Sequence, residues 1–180
     1  MHNPTIRHTA GFFLSLIAAM LWGMLPIALK ELLAGMDAIT IVWYRFLVAG
    51  VVLSGWLAFH RNLPKVFVLG AQIRWFLMFA AIGLCINYFL FSYSLNFVNG
   101  ETSEAVIQLT TLFLILGGVF VYKESFFALQ KLGTVLIMLG LLLFFNDRLG
   151  GLLSVENRET VGVIIVVFAA ITWTVYALLQ

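Results

Sequence analysis

Cysteine occurs once in the 180 residues, at Cys85. No internal disulfide can form, and its place inside an apolar run reads as a small core hydrophobe rather than a nucleophile. Charge is equally scarce, with Asp, Glu, Lys and Arg making up 10% of the chain, against about 25% in soluble domains. The formal net charge of +2 is too small and too scattered to attract nucleic acid. Histidine is confined to His2, His8 and His60, in the tail or a loop. There is no His-Glu-x-x-His pair, no Gly-x-Ser-x-Gly elbow and no phosphate-cradling glycine loop, so metal ligation and covalent catalysis are not expected. Neither a cofactor nor an enzyme activity is implied.

What the chain does have is apolar length. Hydrophobic residues make up 63%, with 17 Phe, and the mean hydropathy is +1.07. Six stretches, about 10–29, 38–59, 73–95, 103–122, 129–146 and 161–179, reach the roughly 17–25 residues that cross a bilayer. Gly35-Met36-Asp37, Asn62-Leu63-Pro64, Asn99-Gly100 and 147–151 supply turns between them. Alternating strands are absent, so the expectation is an all-α polytopic membrane bundle of six transmembrane helices. The first stretch exceeds the 7–15 residues of a signal-peptide core, and further spans follow it. It reads as an uncleaved helix.

Lys and Arg divide unequally between the two faces. Arg7, Arg61, Lys65, Arg74, Lys123 and Lys131 fall on one, against Lys30, Arg148 and Arg158 on the other, which places the N-terminus in the cytoplasm.

The first and sixth stretches resemble each other. At an offset of 151, Gly11 meets Gly162, Ala18-Ala19 meets Ala169-Ala170, and Trp22 meets Trp173. Four spans lie between the two, so they run in opposite directions, as in the inverted repeats of many secondary transporters. The expected organisation is a five-helix repeat over 1–150, then a linker and the first helix of an incomplete second repeat over 151–180.

The run from "SLNFVNGETSEAVIQL" to "LGTVLIMLGLLLFF", with "AAMLWG" in the first span, Arg45 in the second and "AAITWTVYAL" in the sixth, resembles the EamA-type branch of the drug/metabolite transporter superfamily. Ser94-Leu95, Glu124, Gln130, Gly133 and Gly140 stand at the spacing of that pattern, while Thr111 stands where it carries a helix-kinking proline. The resemblance implies the first half of a ten-helix transporter in a bacterial inner membrane, exporting small metabolites, amino acids or drugs. The partners implied are a small-molecule substrate, the lipid bilayer, and a missing second repeat or a second copy of the chain.

Arg45 is the residue that most demands explanation. An arginine at the centre of a spanning helix costs about 2.5–3.5 kcal/mol on insertion scales. It could face a wet cavity and meet a substrate carboxylate, pair with Glu101 or Glu104, or snorkel to headgroups. The third span offers Asn87, Tyr88, Phe91 and Ser94, and the fourth offers Gln108 and Thr111, as polar stripes that should avoid lipid. Together with Trp22 they suggest an amphipathic substrate cavity. Small residues, among them Gly23, Gly133 and Gly140, suit close helix approach, and Glu124 reads as a structural anchor beside Lys123. Helix packing alone would also serve a membrane assembly or scaffold subunit, which is the alternative reading.

Overall fold

The computed structural model describes residues 4–64, 70–146 and 158–179, and every element among them is helical. In order these are α1 (Pro4–Leu33), α2 (Ala38–Phe59), α3 (Ala71–Ser94), α4 (Gly100–Ile107), α5 (Leu109–Val121), α6 (Ala128–Phe145) and α7 (Arg158–Leu178). They form six segments long and apolar enough to span a membrane, with α4 and α5 sharing one. In hydrocarbon a helix is the local way to satisfy every backbone N–H and C=O, which is why such runs leave the chain little choice. The loop around 147–151, the expected repeat boundary at 150, Lys65 and Arg148 lie outside the described residues.

Local chemistry sets the span ends. Asp37 caps α2: its carboxylate accepts from the Thr40 amide at 3.1 Å and from the Thr40 hydroxyl at 2.6 Å, satisfying donors that a helix start leaves open. These bonds, the hydroxyl's foremost, hold the exposed Asp37 carboxyl below its ordinary pKa. Arg61 follows α2 and Lys123 follows α5. Both take a left-handed backbone, at φ 54° and 55°, uncommon for side chains other than glycine.

The fourth span is broken, although it lacks the proline. At Gln108 the ladder tightens, its amide bonding Ala105 O at 3.3 Å while the Thr111 amide bonds Gln108 O at 3.0 Å. Both are i→i−3 bonds of the tighter helix type, a frequent mark of a joint. The Thr110 hydroxyl donates to the Ile107 carbonyl at the same point, a competition with the ladder that bends helices.

α7 is the centre of the packing. It lies against α3, α5 and α4, more extensively than any of the other helices pack on one another. Val166, Ala169 and Ala170 are wholly buried on it. One apolar cluster joins Leu29, Ile41, Phe91, Leu95 and Ala169, and a second joins Val98, Val106, Phe145 and Val166. Close approach falls at glycines other than those expected. A Cβ on Gly162 would stand 2.8 Å from Phe97 Cβ, whereas Gly23, Gly133 and Gly140 have open space beside them. The approach those three suggested is therefore not made among the described residues. Cys85 is exposed on α3 rather than in the core, because the third span buries its Asn87–Phe91–Ser94 side instead.

At the same end as the Gly162 contact, Lys30 fastens α1 to the α3–α4 turn through Val98 O at 3.3 Å and Asn99 Oδ1 at 3.1 Å. Pro26 sits beside Gly100, where an added Cβ would be 3.2 Å from the proline Cβ.

Candidate functional site

A cavity of about 240 Å³ opens between α1, α3, α4, α5 and α7. Its aromatic walls are Trp22, Tyr88, Phe91 and Trp173, its aliphatic ones Leu25, Ile107 and Leu114. Asn87, Glu104, Gln108, Thr110 and Thr111 supply the polar part. Six of the seven residues expected to face a substrate are thus brought together: Trp22, Asn87, Tyr88, Phe91, Gln108 and Thr111. The i, i+3 pair Gln108 and Thr111 straddles the joint in the fourth span, so the break turns both toward one space.

Arg45 is the exception. It lines a neighbouring pocket of about 150 Å³ with Val42, Phe46, Ala49 and Tyr88. Its guanidinium carbon lies 4.7 Å from the centroid of the Tyr88 ring, within cation–π range. Tyr88 therefore borders both spaces, with Phe46 edge-on to it at 5.4 Å. Arg45 Nη1 is buried without a hydrogen-bond partner, as is Glu104 Oε1. The ion pair that the sequence allowed between them is not formed.

Asn87 has a packing duty besides its place in the wall. Its side-chain amide donates to Ala169 O at 2.7 Å, with both residues buried. Ser94 is taken up within its own helix, donating to Phe91 O at 2.7 Å, and does not line the cavity. Glu124 acts locally: its amide bonds Gly118 O at 3.1 Å, and its carboxylate lies where a Gly118 side chain would stand.

Sequence reasoning missed Glu104 as a wall residue. A fourth span starting near 103, as the apolar run suggests, leaves Glu104 at the interface. The helix instead begins at Gly100, carrying Glu104 a turn inward. Trp173 had its signal in the repeat, since it is the counterpart of Trp22. Among the described residues, no group of three His, Cys, Asp or Glu side chains could hold a metal.

Six membrane-length helices, four of whose spans line a part-polar cavity, define a polytopic helical membrane protein. Residues 9–146 match the EamA-like transporter family, and the chain belongs to that family of membrane transporters. It is 41% identical over 170 residues to an uncharacterized transporter of Haemophilus influenzae, covering 94% of this chain and 55% of that protein. To the uncharacterized inner membrane transporter YhbE of Escherichia coli K12 it is 37% identical over 172 residues, covering 94% and 53%. The chain spans about half the length of these relatives. No solved structure matches it.

Proposed function

We propose that the chain supplies the first five-helix repeat and one helix of the second in a ten-helix secondary transporter of the bacterial inner membrane, which exports small metabolites, amino acids or drugs. The observation that carries this reading is the meeting of Trp22 and Trp173, counterparts in two oppositely directed helices, on one cavity. A site at the junction of inverted repeats suits alternating access, in which one repeat rocks against the other around a fixed solute. Trp22, Asn87, Tyr88, Phe91, Gln108 and Thr111 form the solute wall, and Arg45 braces Tyr88 from the adjoining pocket. The Lys and Arg distribution supports a cytoplasmic N-terminus. It also favours a single orientation, so the missing wall comes from a second repeat rather than from an inverted copy of this chain.

The test is solute flux in liposomes containing residues 1–180 alone, beside liposomes containing a form extended to the length of the relatives. Flux only with the longer form is expected. Equal flux from residues 1–180 would overturn the half-transporter reading, and no flux from either across metabolites, amino acids and drugs would overturn the transport reading.

A further inference from the structure

Glu104 stands in an unusual position for a carboxylate. It lines the main cavity, and its Oε1 is buried with no hydrogen-bond partner. Leaving such an oxygen ionised and unpaired is costly, whereas pairing it with an opposite charge removes most of that cost. The nearest candidate cation in the sequence reading, Arg45, opens into the other pocket and stacks on Tyr88. Among the described residues lining the main cavity there is one acid and no Lys, Arg or His. Two indoles and a phenol, from Trp22, Trp173 and Tyr88, share the same wall. Tryptophan and tyrosine faces carry negative quadrupoles that attract ammonium groups, most strongly where water is excluded.

We infer that the cavity binds solutes bearing a cationic amine, with Glu104 as the counter-charge and Trp22, Trp173 and Tyr88 as the aromatic cage. The inference deepens the transport reading by naming the charge of the solute, and it reverses the sign expected from Arg45. An anion would meet an acid and three electron-rich faces in the main cavity. The joint at Gln108 contributes by aiming the outer half of the span, which carries Glu104, independently of the inner half.

The test uses the 180-residue protein in nanodiscs of a neutral phospholipid, with binding read by calorimetry and tryptophan fluorescence. The probes are phenethylammonium, 3-phenylpropionate and 2-phenylethanol, which share an aromatic body and differ in charge. The cation is expected to bind at least about tenfold more tightly than the other two. Glu104→Gln should erase that preference, bringing the cation's affinity down to that of 2-phenylethanol, and Glu104→Asp should restore part of it. Trp22→Leu should weaken the cation more than the alcohol. Preference for the anion, indifference to charge, a preference that survives Glu104→Gln, or no binding of any probe would each overturn the inference. Because binding is read without flux, a form extended to the length of the relatives that binds the cation and moves nothing would sink the transport reading alone. Transport restricted to anions would sink only this one.

Discussion

Asn87 on α3 and Ala169 on α7 are joined by a buried hydrogen bond of 2.7 Å across 82 positions of sequence. It fixes the sixth span against the third at the level of the cavity, where Ala169 and Ala170 present no bulk to keep the helices apart. Asn87→Leu should lower the stability of the bundle by about 0.6–2 kcal/mol, the usual range for an interhelical bond in a membrane protein. Reversible unfolding in mixed micelles of dodecyl sulfate and maltoside measures it. A variant as stable as the parent would show that apolar packing alone seats α7.

Gly162 tests the same docking at the other end of the contact. A methyl group there would stand 2.8 Å from Phe97 Cβ, at the α3–α4 turn, where the backbone rather than a loose side-chain tip must give way. Gly162→Ala should cost about 1–3 kcal/mol, whereas Gly133→Ala, with open space beside it, should cost little. Paired unfolding curves decide, and equal losses at the two positions would contradict the close approach.

The Arg45 contact with Tyr88 depends on a ring face, not on the phenol. Tyr88→Phe should therefore keep most of the stability and Tyr88→Leu should lose about 0.5–2 kcal/mol. Arg45→Lys should also lose, since an ammonium keeps the charge but not the flat stacking surface. If Phe and Leu at position 88 behave alike in the unfolding assay, the guanidinium is held by something else.

Asp37 gives a pH signature. Hydrogen bonds from Thr40 favour its ionised form, so its folded pKa lies below the ordinary 3.8. The capping contribution is then complete above the ordinary value and is lost as pH falls through the lower, folded one. The Thr40 amide shift in a nuclear magnetic resonance titration should have its midpoint below 3.8. A midpoint at or above that value would mean the cap does not prefer the carboxylate.

The six spans were legible because uninterrupted apolar length is the strongest signal a membrane chain carries. Asp37 made the start of the second span readable to the residue. Which face of each helix meets its neighbours was far less legible, since lipid-facing and packed surfaces are both apolar, and Cys85 accordingly fell on the wrong side. The stripes on the third and fourth spans escaped this ambiguity because their polar groups avoid lipid. The break at Gln108 carries neither glycine nor proline, so nothing punctuated it, and the fourth span's true start at Gly100 hid how far inward Glu104 reaches. Arg45 was recognised as needing a partner, but the Tyr88 face that meets it lies 43 positions away, and no local pattern links the two.

Arg61 and Lys123, the two residues with left-handed backbones, both end spans that run in the same direction, and both are basic. The residues that turn the chain at this face are therefore also among those whose charge decides which way the bundle is threaded. Replacing either by glycine would relax the turn and, in the same substitution, erode the topological signal. A mutational screen that rewards folding in detergent would favour such changes, while one that rewards correct insertion in cells would reject them.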